Sequence, residues 1–117
     1  MANGRGWKAA TADKKLYYVV GINDGVRWSM AVADSSDSKC SEKSAEELDK
    51  SFWVSGFTYA DYVKELNKLY EDPANIRLPI SVMYGIASNV FKRMPPDETG
   101  RRLANMRKVF AEAQEKR

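Results

Sequence analysis

An all-α fold, a compact bundle of four to five helices in a single domain over residues 1–117, is what this sequence predicts. Three observations carry that prediction. Between Pro79 and the Pro95-Pro96 pair, the residues Val82, Met83, Ile86, Val90, Phe91 and Met94 recur at helical spacing. Comparable apolar stripes precede and follow this segment, each bounded by a capping residue, a glycine or a proline. Clean period-two alternation is missing: Tyr17-Tyr18-Val19-Val20 has strand-like residue types but sits inside a helical pattern. Stripes of this kind must be buried against one another, and 117 residues are enough to bury a core without disulfide or metal staples.

Residues 1–10 are small and polar except Trp7, and read as an N-terminal arm whose indole docks on the first helix. Thr11 followed by Asp13 is a helix start, with an acid near the positive end of the dipole. Leu16, Val19, Val20, Val26 and Met30 then mark an inward face. Gly21 and Gly25 lie one turn apart, each costing about 1 kcal/mol against alanine in a helix interior. The expectation is a continuous helix approached closely by another at these glycines, such as the one carrying Gly85 and Ala87. Asp24 is expected at the surface beside Asn23, capping a kink. A buried Asp24 would instead need a partner such as Arg27.

Residues 33–44 form a polar stretch predicted to be a mobile loop. Ser44 and Glu47 have capping-box spacing for a short helix carrying Leu48 and Phe52, stopped by Ser55-Gly56. Thr58 and Asp61 open the next helix, with Tyr59, Tyr62/Val63, Leu66 and Leu69/Tyr70 inward and Asp72-Pro73 closing it. Pro79 suits the first turn of the following helix, and Pro95-Pro96 ends it. Asp97 to Thr99 then caps a basic C-terminal helix over 97–117. Leu103, Met106, Val109/Phe110 and Ala113 face inward, and 114–117 fray.

The charge is uneven. From Lys92 to Arg117 eight Lys/Arg stand against four acids, a net +4; the first 91 residues hold eleven against twelve, a net −1. Arg101, Arg102, Arg107 and Lys108 thus form a candidate basic patch for nucleic acid or an acidic partner, although the interspersed acids favour the reading of a solvated helix face. No apolar run is long enough to span a membrane.

Chemistry is sparse. Without histidine the chain has no Ser-His-Asp or Cys-His nucleophile, and Cys40, the lone cysteine, can build neither an intramolecular disulfide nor a thiolate zinc site. No phosphate loop or dinucleotide fingerprint occurs. Asp61 and Glu65 share a turn with Lys64 and Lys68, the pattern of an ion-pair face rather than a glycosidase pair. The expectation is no enzyme, no catalytic or cofactor-binding residue, and no metal or cofactor. Aromatics carry more: Trp28 and Trp53, flanking Asp34 and Asp37, are the residues assigned to partner binding, because Trp anchors interface hot spots.

The order of elements also resembles a known family. Trp7 and Asp13-Lys14-Lys15-Leu16-Tyr17-Tyr18-Val19-Val20-Gly21-Ile22-Asn23-Asp24-Gly25 precede a cysteine. Phe57-Thr58-Tyr59-Ala60-Asp61-Tyr62-Val63, Leu69-Tyr70, an Asp-Pro connector and a Pro79 helix ending Phe91-Lys92-Arg93-Met94-Pro95 follow. Over residues 7–95 this is similar to the small exported helical proteins of the type VI secretion amidase-immunity (Tai/Rap) family. It departs from them in two places: the closing cysteine near Met94-Pro95 is absent, so the family's disulfide cannot form, and the basic helix after Pro96 is an addition. The resemblance implies an all-helical fold, a periplasmic or secreted setting after signal-peptide removal, and function through protein binding.

The leading expectation is therefore a non-enzymatic protein that binds another protein, identity open, by an immunity-type mechanism. Self-association as a homodimer is left open. The alternatives are a cytoplasmic nucleic-acid-binding or regulatory module using the basic patch, and a periplasmic acid-stress chaperone.

Overall fold

Short polar segments and apolar stripes assemble here around aromatic rings. The computed structural model describes residues 3–34 and 54–115. It consists of α1 (Gly4–Ala9), α2 (Ala12–Asp34), α3 (Tyr59–Leu69), a 3-10 turn (Pro73–Asn75), α4 (Ile80–Phe91) and α5 (Pro96–Glu115), with no strand among the described residues. The expected all-α bundle is what forms. The helix α3 packs on both α2 and α4, α2 also touches α4, and α5 returns against α4 and the 3-10 turn.

The first ten residues are more than an arm. Asn3 caps α1, its Oδ1 accepting the Arg5 N–H at 3.0 Å, and Asn3 also forms an isolated antiparallel bridge with Pro79. Six residues are too few for an independent helix; α1 is held by Trp7, which is fully buried. The Trp7 indole N–H donates to Asn67 Oδ1 at 2.9 Å, the same oxygen that accepts from Lys15 Nζ at 3.0 Å. Behind it Gly4 is the one glycine whose added Cβ would clash with described residues. A Cβ there would lie 2.6 Å from the Tyr70 ring and 2.8 Å from the Ile76 carbonyl, which accepts the Gly4 N–H.

Helix α2 runs unbroken through Gly21 and Gly25, as expected, with Thr11 Oγ1 accepting the Lys14 N–H at 3.2 Å. The reason expected for its glycines is wrong. A Cβ at Gly21, Gly25 or Gly85 meets nothing within 4 Å, so none of the described helices crosses closely there. Its buried face is also rotated: Val19 and Asn23 are buried, with Tyr18 and Ile22 packed on the core, while Leu16 is exposed. Asn23, expected at the surface, is inside because its Nδ2 donates to the Tyr59 hydroxyl at 2.9 Å; Asp24 faces solvent. The first two residues of the predicted loop, 33 and 34, belong to α2, and the rest of it, 35–44, lies outside the described residues.

Helix α3 opens on the expected capping box: Asp61 N–H donates to Thr58 Oγ1 and Thr58 N–H to the Asp61 carboxylate, at 3.2 and 2.8 Å. Tyr62, Leu66 and Tyr70 form its buried seam. Tyr62 stacks on Tyr84 at 4.4 Å between centroids and meets Phe91 edge-on at 4.8 Å, while its hydroxyl shares a 2.9 Å hydrogen bond with Ser88. The Tyr70 hydroxyl donates to the Leu78 carbonyl at 2.7 Å; burial pushes this phenol's pKa up, so it remains a neutral donor.

Both proline boundaries shift. Pro79 lies one residue outside α4, in extended conformation, its carbonyl accepting the Met83 N–H at 3.1 Å. The helix ends at Phe91, before the double proline, because Arg93 adopts φ 61°. Arg93 N–H then reaches the Val90 carbonyl and Met94 N–H the Asn89 carbonyl, a Schellman motif with arginine where glycine is usual. Pro96 is the first residue of α5, where its missing N–H is harmless, so the expected Asp97–Thr99 cap is instead the helix's first turn. Thr99 itself is buried.

Candidate functional site

Of the residues assigned to partner binding, Trp28 is the one the structure displays: 71% of it is exposed. Asp34 ends α2, and its side chain lies outside the described residues, as do Asp37, Trp53, Cys40 and the predicted Ser44–Glu47 capping box with Leu48 and Phe52. Trp28 has company that sequence reasoning missed. Tyr17, Gly21, Asp24 and Trp28 are spaced by four, three and four residues and lie on one face of α2. Tyr17 is 74% exposed, Gly21 and Asp24 are exposed, and the stripe covers about 16 Å of the helix axis. This face points away from Val19 and Asn23. It is flanked by Leu16, also exposed, so among the described residues α2 carries large apolar side chains on its outer side as well as on the side packed against the core.

The missed signal was available in the sequence. A helix with aromatics at positions 17 and 28 and inward residues at 19, 22, 23 and 26 cannot bury both sets. Tyr17 was masked by its neighbours, which give the segment a strand-like composition.

The candidate basic patch divides. Arg107 is half-buried and structural: its Nε donates to Asn75 Oδ1 at 2.8 Å and its Nη2 to Asp72 Oδ2 at 3.2 Å. Asn75, buried, passes its own Nδ2 proton to the Leu69 carbonyl at 2.7 Å, so one clasp joins α3, the 3-10 turn and α5. Arg102 pairs with Glu98 at 3.7 Å on the helix surface. Arg101 and Lys108 are exposed. Four cations close in sequence thus do three different things: Arg107 is tied into the fold, Arg102 is paired along its own helix, and Arg101 and Lys108 face solvent.

The inward face of α5 differs from expectation in the same way. Leu103 and Phe110 pack on the core, but Met106 is 37% and Val109 54% exposed. The side chain of Ala113, also expected inward, lies outside the described residues. Met106 joins Arg102 and Asn105 along one wall of a groove of about 570 Å³, whose other wall is Ser81, Val82, Gly85, Ile86 and Asn89 of α4.

The Asp61 carboxylate, offered in sequence beside Glu65, is occupied by its cap: the Thr58 backbone N–H holds its pKa below the usual aspartate value. Comparison with protein-family models, with curated proteins and with solved structures returns no match. Among the described residues no helix is long and apolar enough to cross a membrane.

Proposed function

We propose that this chain is a non-catalytic binding module that captures another protein through the outer face of α2. The observation supporting this reading is the pair Tyr17 and Trp28, two large aromatics about three-quarters exposed on one helix face. Leaving such rings in water forgoes burial free energy, on the order of 2 kcal/mol each, and Trp and Tyr are the side chains that return most when a partner desolvates them. Exposed Gly21 between them lets a partner's backbone approach the helix axis. Asp24 adds one charge to an otherwise apolar stripe and favours a partner with a cation at that point.

Inhibition of a secreted toxin, in a periplasmic or secreted setting, is the specific form that the family resemblance suggests for this capture. A partner site on α2 suits it, since a rigid helix presents a preorganised face. The basic-patch alternative is weaker because Arg107 is committed to Asp72 and Asn75.

The test is site-specific photo-crosslinking from position 28 in cells of the native host. A single protein should be trapped, displaced by excess unmodified chain and lost in the Tyr17→Ala background. Trapping that is no more selective from position 28 than from exposed Lys108 would defeat the reading.

A further inference from the structure

We propose that the outer face of α2 pairs with the same face of a second copy of this chain, forming an antiparallel dimer with twofold symmetry. The inference rests on the reading of that face as a docking surface, and it names the occupant that a captured protein would have to displace.

Lys14, Tyr17, Gly21, Asp24 and Trp28 follow one another at spacings of three, four, three and four. This is the narrow seam of a helix that pairs with one other helix, not the broad stripe of a helix packed on a globule. It runs for about 21 Å along α2. All five residues are exposed among the described residues, on the side of the helix opposite buried Val19. At its centre a Cβ on Gly21 would meet nothing within 4 Å.

The side chains complement one another across a twofold axis at the level of residue 19. Tyr17 then lies over Gly21 of the second copy, so a ring 74% exposed meets a residue with no side chain. Lys14 comes beside Asp24 of the second copy, and symmetry makes each contact twice. Neither Lys14 nor Asp24 enters a salt bridge among the described residues, so pairing breaks no existing one. Trp28 overlies the first turn of the opposite α2, where exposed Thr11 and Ala12 are small. The two aromatics supply the burial, and the charges fix orientation and register.

Other arrangements lose this fit. A parallel pair sets Lys14 against Lys14 and Asp24 against Asp24. Moving the axis to between Gly21 and Asp24 leaves the two Asp24 residues about 4.5 Å apart along the helices, with Lys14 near neither. Moving it to between Lys14 and Tyr17 carries Asp24 and Trp28 past the start of the opposite α2.

The experiment is sedimentation equilibrium of the purified full chain from about 1 to 500 µM. A reversible monomer–dimer equilibrium is expected. Lys14→Asp and Asp24→Lys should each weaken it about ten-fold, by setting like charges in both facing pairs. Mixed in equal amounts, the two variants should associate as tightly as wild type, because each supplies the charge the other lacks. Tyr17→Ala should also weaken the dimer about ten-fold, and it serves if a charge variant fails to keep its helical circular dichroism. A photo-crosslinker at position 28 should map to residues 11–14 of the second copy. The proposal is overturned by a wild type that stays monomeric throughout, or by a dimer that survives every folded variant. A mixture that associates no better than its components, or a crosslink mapping elsewhere in the second copy, overturns it too. The two readings fail separately. A monomer sinks the pairing alone, while a dimer whose position 28 traps its own copy and nothing else in cells supports the pairing and sinks capture of a different protein.

Discussion

Trp7 and Trp28 are the same residue in opposite circumstances. Trp7 belongs to a six-residue helix of small and polar residues, yet it is fully buried, between Tyr18 and Tyr70 at 6.5 and 6.2 Å with Lys15 Nζ 5.5 Å from its ring. Trp28 belongs to a 23-residue helix rich in apolar residues and is 71% exposed. Local apolarity therefore does not decide which aromatic is inside. What decides is whether another element covers that face: α3 brings Asn67 and the adjoining Tyr70 against Trp7, while among the described residues it is Val19, Tyr18 and Ile22 of α2 that pack on the shared core. The first tryptophan is committed to the fold and the second stays at the surface.

The largest effect expected follows directly. Trp7→Ala should cost about 3–5 kcal/mol in chemical denaturation, as for other buried aromatics, whereas Trp28→Ala should stay within about 0.5 kcal/mol of wild type. Similar losses from both would mean that the outer α2 face is covered and would break the contrast. Next come the glycines of the same two regions. Gly4→Ala should lose about 1–3 kcal/mol, because its Cβ would enter the Tyr70 ring and the Ile76 carbonyl. Gly21→Ala should instead raise stability by about 0.5–1 kcal/mol, since the space beside it is open. If Gly21→Ala also weakens partner capture, the contrast sharpens: the residue would be kept for the surface at a cost to the helix.

The smallest effect concerns α3, the helix against which Trp7 leans. The Asp61 pKa is lowered in the fold, mainly by the Thr58 backbone N–H, so its carboxylate stabilises the folded chain above the ordinary aspartate value of 3.8. That contribution disappears as pH falls through the lower folded value. Asp61→Asn should flatten the acid limb of thermal melts below about pH 4 and leave the slope above it unchanged. A flattening confined to neutral pH would contradict the capping role.

Several elements were legible because their causes are local. The Thr58–Asp61 box, the Thr11 start, the Asp72-Pro73 stop and the Tyr62–Leu66–Tyr70 seam each depend on residues within a turn or two, and all stand as read. Where the reading slipped, the cause was distant. Asn23 is inside because Tyr59, thirty-six residues away, accepts its amide proton. Arg107 is half-buried because Asn75 and Asp72 wait for it across the fold. Glycine pairing on α2 suggested a helix crossing, while the real close approach is at Gly4, in a segment whose sequence shows only polarity. For the candidate site, Trp28 was singled out from residue type, whereas Tyr17, about three turns earlier on the same face, was passed over although its spacing was there to be read.

By itself the sequence determined that the fold is helical, where α2 and α3 begin, and that the chain holds no histidine and one cysteine. Those properties follow from backbone geometry, capping and side-chain inventory, which act over a few residues. Tertiary structure alone decided which face of α2 is exposed among the described residues, which cations are structural, and that Gly85 lines a groove between α4 and α5. Each of these depends on what a second element covers, and a stripe of residues along one helix carries no record of its neighbour.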